Sequence, residues 1–233
     1  MDLRSKLKPP TEFIHSIREE LIGVLIFVGI VWGVFIFDCI LFGIWEFKLA
    51  DWFGLIPRQI TRLPGIVAMP FLHGDLKHIF SNTFPLLVLM WLLAGSRAQS
   101  WRIVAMICLL GGSLLWLFGS PMVFLRGLVT SNNEVQAHVG ASLLVFGLIT
   151  FLISSGYFER RPVPVLIAVF VAILYGTTLI WGIIPKMTGH VSWDGHLSGG
   201  IAGVIVAYWL VKYPASFAGK KKPAEAPKVD ATP

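Results

Sequence analysis

The stretches HVGASLLVFG (138–147) and WDGHLSGGIAG (193–203) each place one reactive polar side chain, Ser142 in the first and His196 in the second, inside a hydrophobic run. A polar group in hydrocarbon is costly, and by default it marks a functional site. Working outward, apolar runs lie at 21–42, 79–94, 103–118, 139–153, 163–184 and 197–211. Each comes close to the ~20 residues that a spanning helix needs once interfacial residues are added. With 55% of the 233 residues hydrophobic and only 14% charged, the composition excludes an ordinary soluble domain. The expected fold is an all-α membrane protein, a six-transmembrane-helix bundle with little chain left for a separate soluble domain.

Six spans put both termini on one side, together with the loops at 97–102 and 160–161. That side holds thirteen of the nineteen Lys and Arg residues, which predicts that it is cytoplasmic. The expected organisation is a cytoplasmic N-terminal segment at 1–20, a membrane domain at 21–213, and a Lys-, Pro- and Ala-rich disordered cytoplasmic tail at 214–233. The first run is too long for a signal-peptide core and no small-residue cleavage site follows it, so it is expected to stay in the mature protein. The net charge of +6 follows from this asymmetry and from attraction to anionic headgroups, and it does not call for nucleic acid.

In that topology the second, fourth and sixth runs all descend from the outer face. His78, Asn82, Ser142 and His196 fall in their first turns, so they are expected at one depth in a shallow, water-accessible cavity. His78 and Asn82, in HIFSN (78–82), are four apart and share a helix face. His196, Gly199, Gly203 and Ala207 form a stripe with the imidazole above small residues, and Gly140 and Gly147 offer matching small residues on the fourth run. Close packing of these two helices would bring Ser142 within reach of His196.

Those residue types suit acyl transfer. A serine hydroxyl becomes a competent nucleophile when a base takes its proton, and His196 is the natural base because imidazole titrates near neutrality. The oxyanion then needs donors. The backbone N–H of Ser142, the Asn82 amide and the His78 ring N–H are the candidates, the first because amides in an opening helical turn lack intrahelical partners. The set makes a hydrolase site with no buried acid and with no cofactor or metal.

HIFSN on the second run, GAS on the fourth and HLSGGIAG on the sixth resemble the HxxxN, GxSx and HxxGxxxG signatures of the rhomboid family of intramembrane serine proteases. FLHGDLKHIF (71–80), with His73 five residues ahead of His78, resembles the family's approach to the second helix. The resemblance implies a Ser-His dyad with Ser142 as nucleophile and His196 as general base, and His78 and Asn82 as oxyanion-stabilising residues. It further implies single-span transmembrane protein substrates that reach the site sideways between the second and fifth spans. A bacterial plasma or inner membrane location, with the site opening to the extracytoplasmic side, fits this picture. Two departures stand out: Leu143 occupies the place where many members carry a second glycine, and the first external loop separates its Trp and Arg residues.

Other polar residues are assigned lesser parts. Asp194, two residues before His196, points to another helix face and is expected to cap the sixth helix. His138, four residues before Ser142, is placed on the same helix face, with either a supporting or substrate-binding role or a surface position. His73 and His190 are expected in external loops near the cavity mouth, and Asp38 at the outer end of the first span. Cys39 and Cys108 lie at different depths and are not expected to pair. The segment Trp45 to Lys77 reads as an interfacial structure, a membrane-embedded hairpin by the family resemblance, and 185–193 as a mobile cap. Two competing functions are an inactive relative that binds transmembrane helices and, ranked last, a metal or solute transporter suggested by the outer histidines.

Overall fold

A computed structural model describes residues 10–96, 100–119, 137–185 and 192–213, with 10–17 as backbone only. The tail at 214–233, most of the 185–193 connection and His190 lie outside the described residues. Six helices of at least 18 residues account for most of the described chain: α1 (Pro10–Trp45), α2 (Leu76–Ser96), α3 (Ser100–Phe118), α4 (Ser142–Glu159), α5 (Pro162–Ile183) and α6 (Trp193–Lys212). The first five are long and apolar enough to cross a membrane. The last has the length, but Asp194, His196, Ser198 and its glycines dilute its hydropathy, and all of these are buried. A helix whose polar residues face protein has no need of a uniformly apolar surface.

Helix ends differ from the apolar runs where local chemistry intervenes. α1 extends back to Pro10, about eleven residues ahead of the apolar run that starts at 21. α4 begins at Ser142 rather than 139, because Gly140 adopts φ +107° and breaks the helical path. Residues 137–139 precede the helix instead, and His138 forms an antiparallel bridge with Leu55 of the first loop through backbone hydrogen bonds of 2.8 and 3.1 Å. Arg160 in the left-handed region ends α4, and Pro162 opens α5 two residues later.

α4 is the axis of the bundle. In its most apolar window 61% of residues are buried, against 11% for α5, which lies at the periphery. The α4–α6 pair is joined nearly backbone to backbone. A Cβ added at Gly199 would collide with the Leu143 carbonyl, and one at Gly203 with the Gly147 carbonyl and the Thr150 hydroxyl. Thr150 Oγ1 donates to the Gly200 carbonyl at 2.8 Å across the same seam. Where helices pack within a membrane, close packing and such hydrogen bonds carry association, because there is no water to expel. Gly147 meets this seam as expected, whereas Gly140 does not: it lies in the turn before α4, against α2.

The first loop folds as short helical turns at Ala50–Phe53, Ile60–Arg62, Gly65–Ala68 and Met69–Phe71. Leu55, Met69 and Leu72 are buried, while Trp52, Ile60 and Val67 project outward. Arg58 ties the loop to the end of α3, donating from Nη1 to the Gly119 carbonyl at 2.9 Å, and Asp38 accepts from the Leu49 N–H at 2.7 Å. Leu143 fills the space beneath this loop, buried with Leu55, Met69 and Leu115 and seated over Gly111. Cys39 and Cys108 are both free.

Candidate active site

The turn Gly140–Ala141–Ser142 is gripped from α2 and its lead-in. A Cβ at Gly140 would lie 2.5 Å from His78 Nε2 and 3.3 Å from Asn82 Nδ2, so only a glycine lets the chain pass this close to both side chains. Asn82 is buried, and its amide nitrogen sits 3.1 Å from His73 Nε2. The Ala141 N–H also points to that nitrogen, at 3.5 Å. Two N–H groups converging on His73 Nε2 make it the unprotonated ring nitrogen. An amide has two N–H donors, so Asn82 held in this way keeps one for another acceptor. Burial, and then the neighbouring His78, push the His73 imidazole down to about 4, against smaller opposing effects of Phe71 and Asp75.

His196 is fixed from two sides. Its Nδ1 lies 2.9 Å from the carbonyl of Gly182, in the last turn of α5 where carbonyls lack intrahelical partners. A carbonyl can only accept, so Nδ1 carries the proton and Nε2 offers its lone pair. The ring stacks on Phe146 with centroids 3.9 Å apart and planes 6° apart. Phe146 is one turn beyond Ser142 on α4, so the imidazole lies along the helix face that bears the serine. The close contact of Gly199 with Leu143, one turn past His196 and one residue past Ser142, brings the same two levels together.

Ser142 therefore stands as the first residue of α4, half-buried, and not inside the helix. His78 and Asn82 share a face, as their spacing requires, and that face meets the serine's turn. His138 and His73 are buried, and neither is a surface or cavity-mouth residue. Because α4 starts after His138, that imidazole does not continue the serine's helix face. Instead His138 Nδ1 lies 2.8 Å from Ser192 Oγ, and Nε2 faces Asp194 Oδ2 at 3.8 Å. Burial lowers the His138 pKa, with Asp194 opposing. The cap of α6 is Ser192, whose Oγ accepts from the Gly195 N–H at 3.1 Å, while Asp194 in the first turn supports it. Sequence reading missed these links because a helix period assigned to 138–142 turns His138 the wrong way. The Gly at 140 was the available signal.

Residues 57–213 match the family model described as the rhomboid domain. The chain belongs to the rhomboid family. The matched rhomboid segment spans α2 to α6 and includes His78, Asn82, Ser142 and His196. This rhomboid is 40% identical over 161 residues to uncharacterized proteins of Mycobacterium tuberculosis and Mycobacterium bovis, covering 67% of its own length and 63% of theirs. It is 35% identical over 209 residues to an uncharacterized protein of Mycobacterium leprae, covering 87% and 77% of the two chains. No solved structure matches. Chemically, this rhomboid site combines a hydroxyl at a helix start, an imidazole protonated on Nδ1, and amide and ring groups around the serine's turn.

Proposed function

We propose that this rhomboid is an intramembrane serine endopeptidase that cleaves single-span transmembrane proteins near the outer membrane face. Ser142 is the nucleophile and His196 Nε2 the general base. His78, Asn82 and the Ser142 N–H stabilise the oxyanion, and no metal or cofactor takes part. The observation that carries the reading is the His196 imidazole, held by the Gly182 carbonyl through Nδ1 and stacked on Phe146 one turn from Ser142. A third group that orients the base and selects its tautomer is what a serine-histidine pair requires, and here a carbonyl takes that part. α6 completes a set of six spans, with both termini cytoplasmic and the site open to the extracytoplasmic side of the plasma or inner membrane. Residues 1–20 form the N-terminal segment, 21–213 the membrane domain and 214–233 the tail.

The test is reconstitution in liposomes with a model single-span substrate, comparing wild type with Ser142→Ala and His196→Ala, and a chelator in parallel. Cleavage lost in both variants and unaffected by chelator is the expected result. Cleavage that survives Ser142→Ala removes the serine mechanism, and sensitivity to chelator alone points to a metal. Binding of the substrate without cleavage by wild type favours a helix-binding relative.

A further inference from the structure

Three polar side chains outside the proposed machinery meet at the outer ends of α4 and α6. His138 Nδ1 lies 2.8 Å from Ser192 Oγ, Ser192 Oγ donates to Asp194 Oδ1 at 3.0 Å, and the Gly195 N–H reaches both Ser192 Oγ and Asp194 Oδ1 at 3.1 and 3.0 Å. His138 and Asp194 are buried. With the Ser192 proton given to the carboxylate, Ser192 Oγ accepts from His138, so Nδ1 carries the imidazole proton. Nε2 is then left facing Asp194 Oδ2 at 3.8 Å and has no hydrogen-bond partner among the described residues.

The position of this cluster gives it a task. His138 is four residues before Ser142, and Ser192 is four residues before His196. Below the dyad, Gly199 and Gly203 join the same two helices backbone to backbone. Ser142 and His196 therefore sit between a polar tie above and a glycine seam below. The seam sets the distance between the two helices, and its side-chain hydrogen bond from Thr150 Oγ1 to the Gly200 carbonyl lies below the level of Ser142 and His196. Directional hydrogen bonds at the other end add a second constraint on register and rotation, on the opposite side of the pair. The tie reaches further, since the His138 backbone is paired with Leu55 of the first loop.

We propose that His138, Ser192 and Asp194 form a clasp that sets the start of α4 against the start of α6, making His138 and Asp194 positioning residues for the Ser142–His196 pair. The clasp rests on the serine-protease reading for its role, and on geometry alone for its existence. His138→Ala and Asp194→Ala are expected to lower kcat about 10- to 100-fold, the scale of an ångström of misplacement, with KM within about twofold. Labelling of Ser142 by a fluorophosphonate should slow in parallel. Asp194→Asn keeps an acceptor for Ser192 and Gly195 and adds an N–H opposite the orphaned Nε2, so it should retain activity within about threefold of wild type.

The experiment measures kcat, KM and labelling for these variants of the full chain in liposomes, and a double-mutant cycle of His138→Ala and Asp194→Ala in thermal unfolding. A non-additive cycle together with the kcat loss and the Asn rescue supports the proposal. An additive cycle overturns the clasp, and a non-additive cycle with wild-type kcat overturns its positioning role. If wild type neither cleaves nor labels, the serine-protease reading has failed by itself, and the unfolding cycle still decides whether the clasp exists.

Discussion

Gly199→Ala tests the α4–α6 seam at the level of the proposed chemistry. The added Cβ would lie 2.9 Å from the Leu143 carbonyl carbon and 3.2 Å from its Cα, with the carbonyl oxygen nearer still. Carbon atoms in good contact sit at about 3.5 Å or more, so α6 must back away from α4 by at least roughly 0.6 Å. Neither side can yield by rotating a side chain, because both are backbone. Overpacking of this kind costs about 1–3 kcal/mol, which for a chain of this length lowers Tm by about 2–12 °C. The displacement acts one turn from His196 and one residue from Ser142, so cleavage should fall about 10- to 100-fold, more than the loss of folded protein explains. Gly200→Ala is the matched control: its Cβ meets only Thr150 Cγ2, at an ordinary 3.5 Å. The assays are thermal unfolding in detergent and cleavage of a single-span reporter in liposomes at a temperature where both variants are folded. Should Gly199→Ala match Gly200→Ala in both, the seam does not set the spacing of the site.

Three further outcomes are expected from the same geometry. Gly140→Ala puts a side chain at φ +107° and 2.5 Å from His78 Nε2, so fluorophosphonate labelling of Ser142 should drop at least about tenfold, and unchanged labelling would remove His78 from the serine's turn. Gly182→Val drives its Cβ into the Phe146 ring and to 3.3 Å from His196 Nδ1, so 15N spectra of labelled histidine should lose the Nδ1-protonated tautomer; a wild-type spectrum refutes the carbonyl's role. His73 has a pKa of about 4 when folded and 6.5 as its ordinary value, so the unfolded chain binds more protons between these limits. Its contribution to stability is therefore complete above about pH 6.5 and lost as pH falls through about 4, on the order of 3 kcal/mol in all. Thermal unfolding between pH 4 and 7 should show a shallower slope for His73→Gln than for wild type, and equal slopes would contradict the assignment.

Helices were legible because hydrophobic length has one reading in a membrane. The 79–94 and 103–118 runs became α2 and α3 with only a turn or less added at either end. The stripe through Gly199 and Gly203 was legible for a related reason: small residues at that spacing have little other use than close approach of helices, and both contact α4 backbone. The start of α4 was not legible from apolarity. Val139 is as hydrophobic as Leu143 and Leu144 inside the helix, and only the φ of Gly140 separates the lead-in from the helix. From that single boundary come both the half-buried first-turn position of Ser142 and the inward turn of His138.

What stayed hidden in the site is mostly backbone. The pattern of His, Asn and Ser names which side chains converge, but no residue type announces that the Gly182 carbonyl will accept from His196 Nδ1. Any residue in the last turn of α5 has an unclaimed carbonyl, and a glycine is needed here for another reason, to leave room for the Phe146 ring. The two constraints on the imidazole thus come from different helices. Phe146 holds the ring plane from the most buried helix of the bundle, and Gly182 selects the protonated nitrogen from the most peripheral one. A shift of α5 would release the tautomer without releasing the plane. A shift of α4 would release both and move Ser142 as well. The orientation of the ring is therefore tied to the core, while the choice of which nitrogen carries the proton depends on where α5 lies.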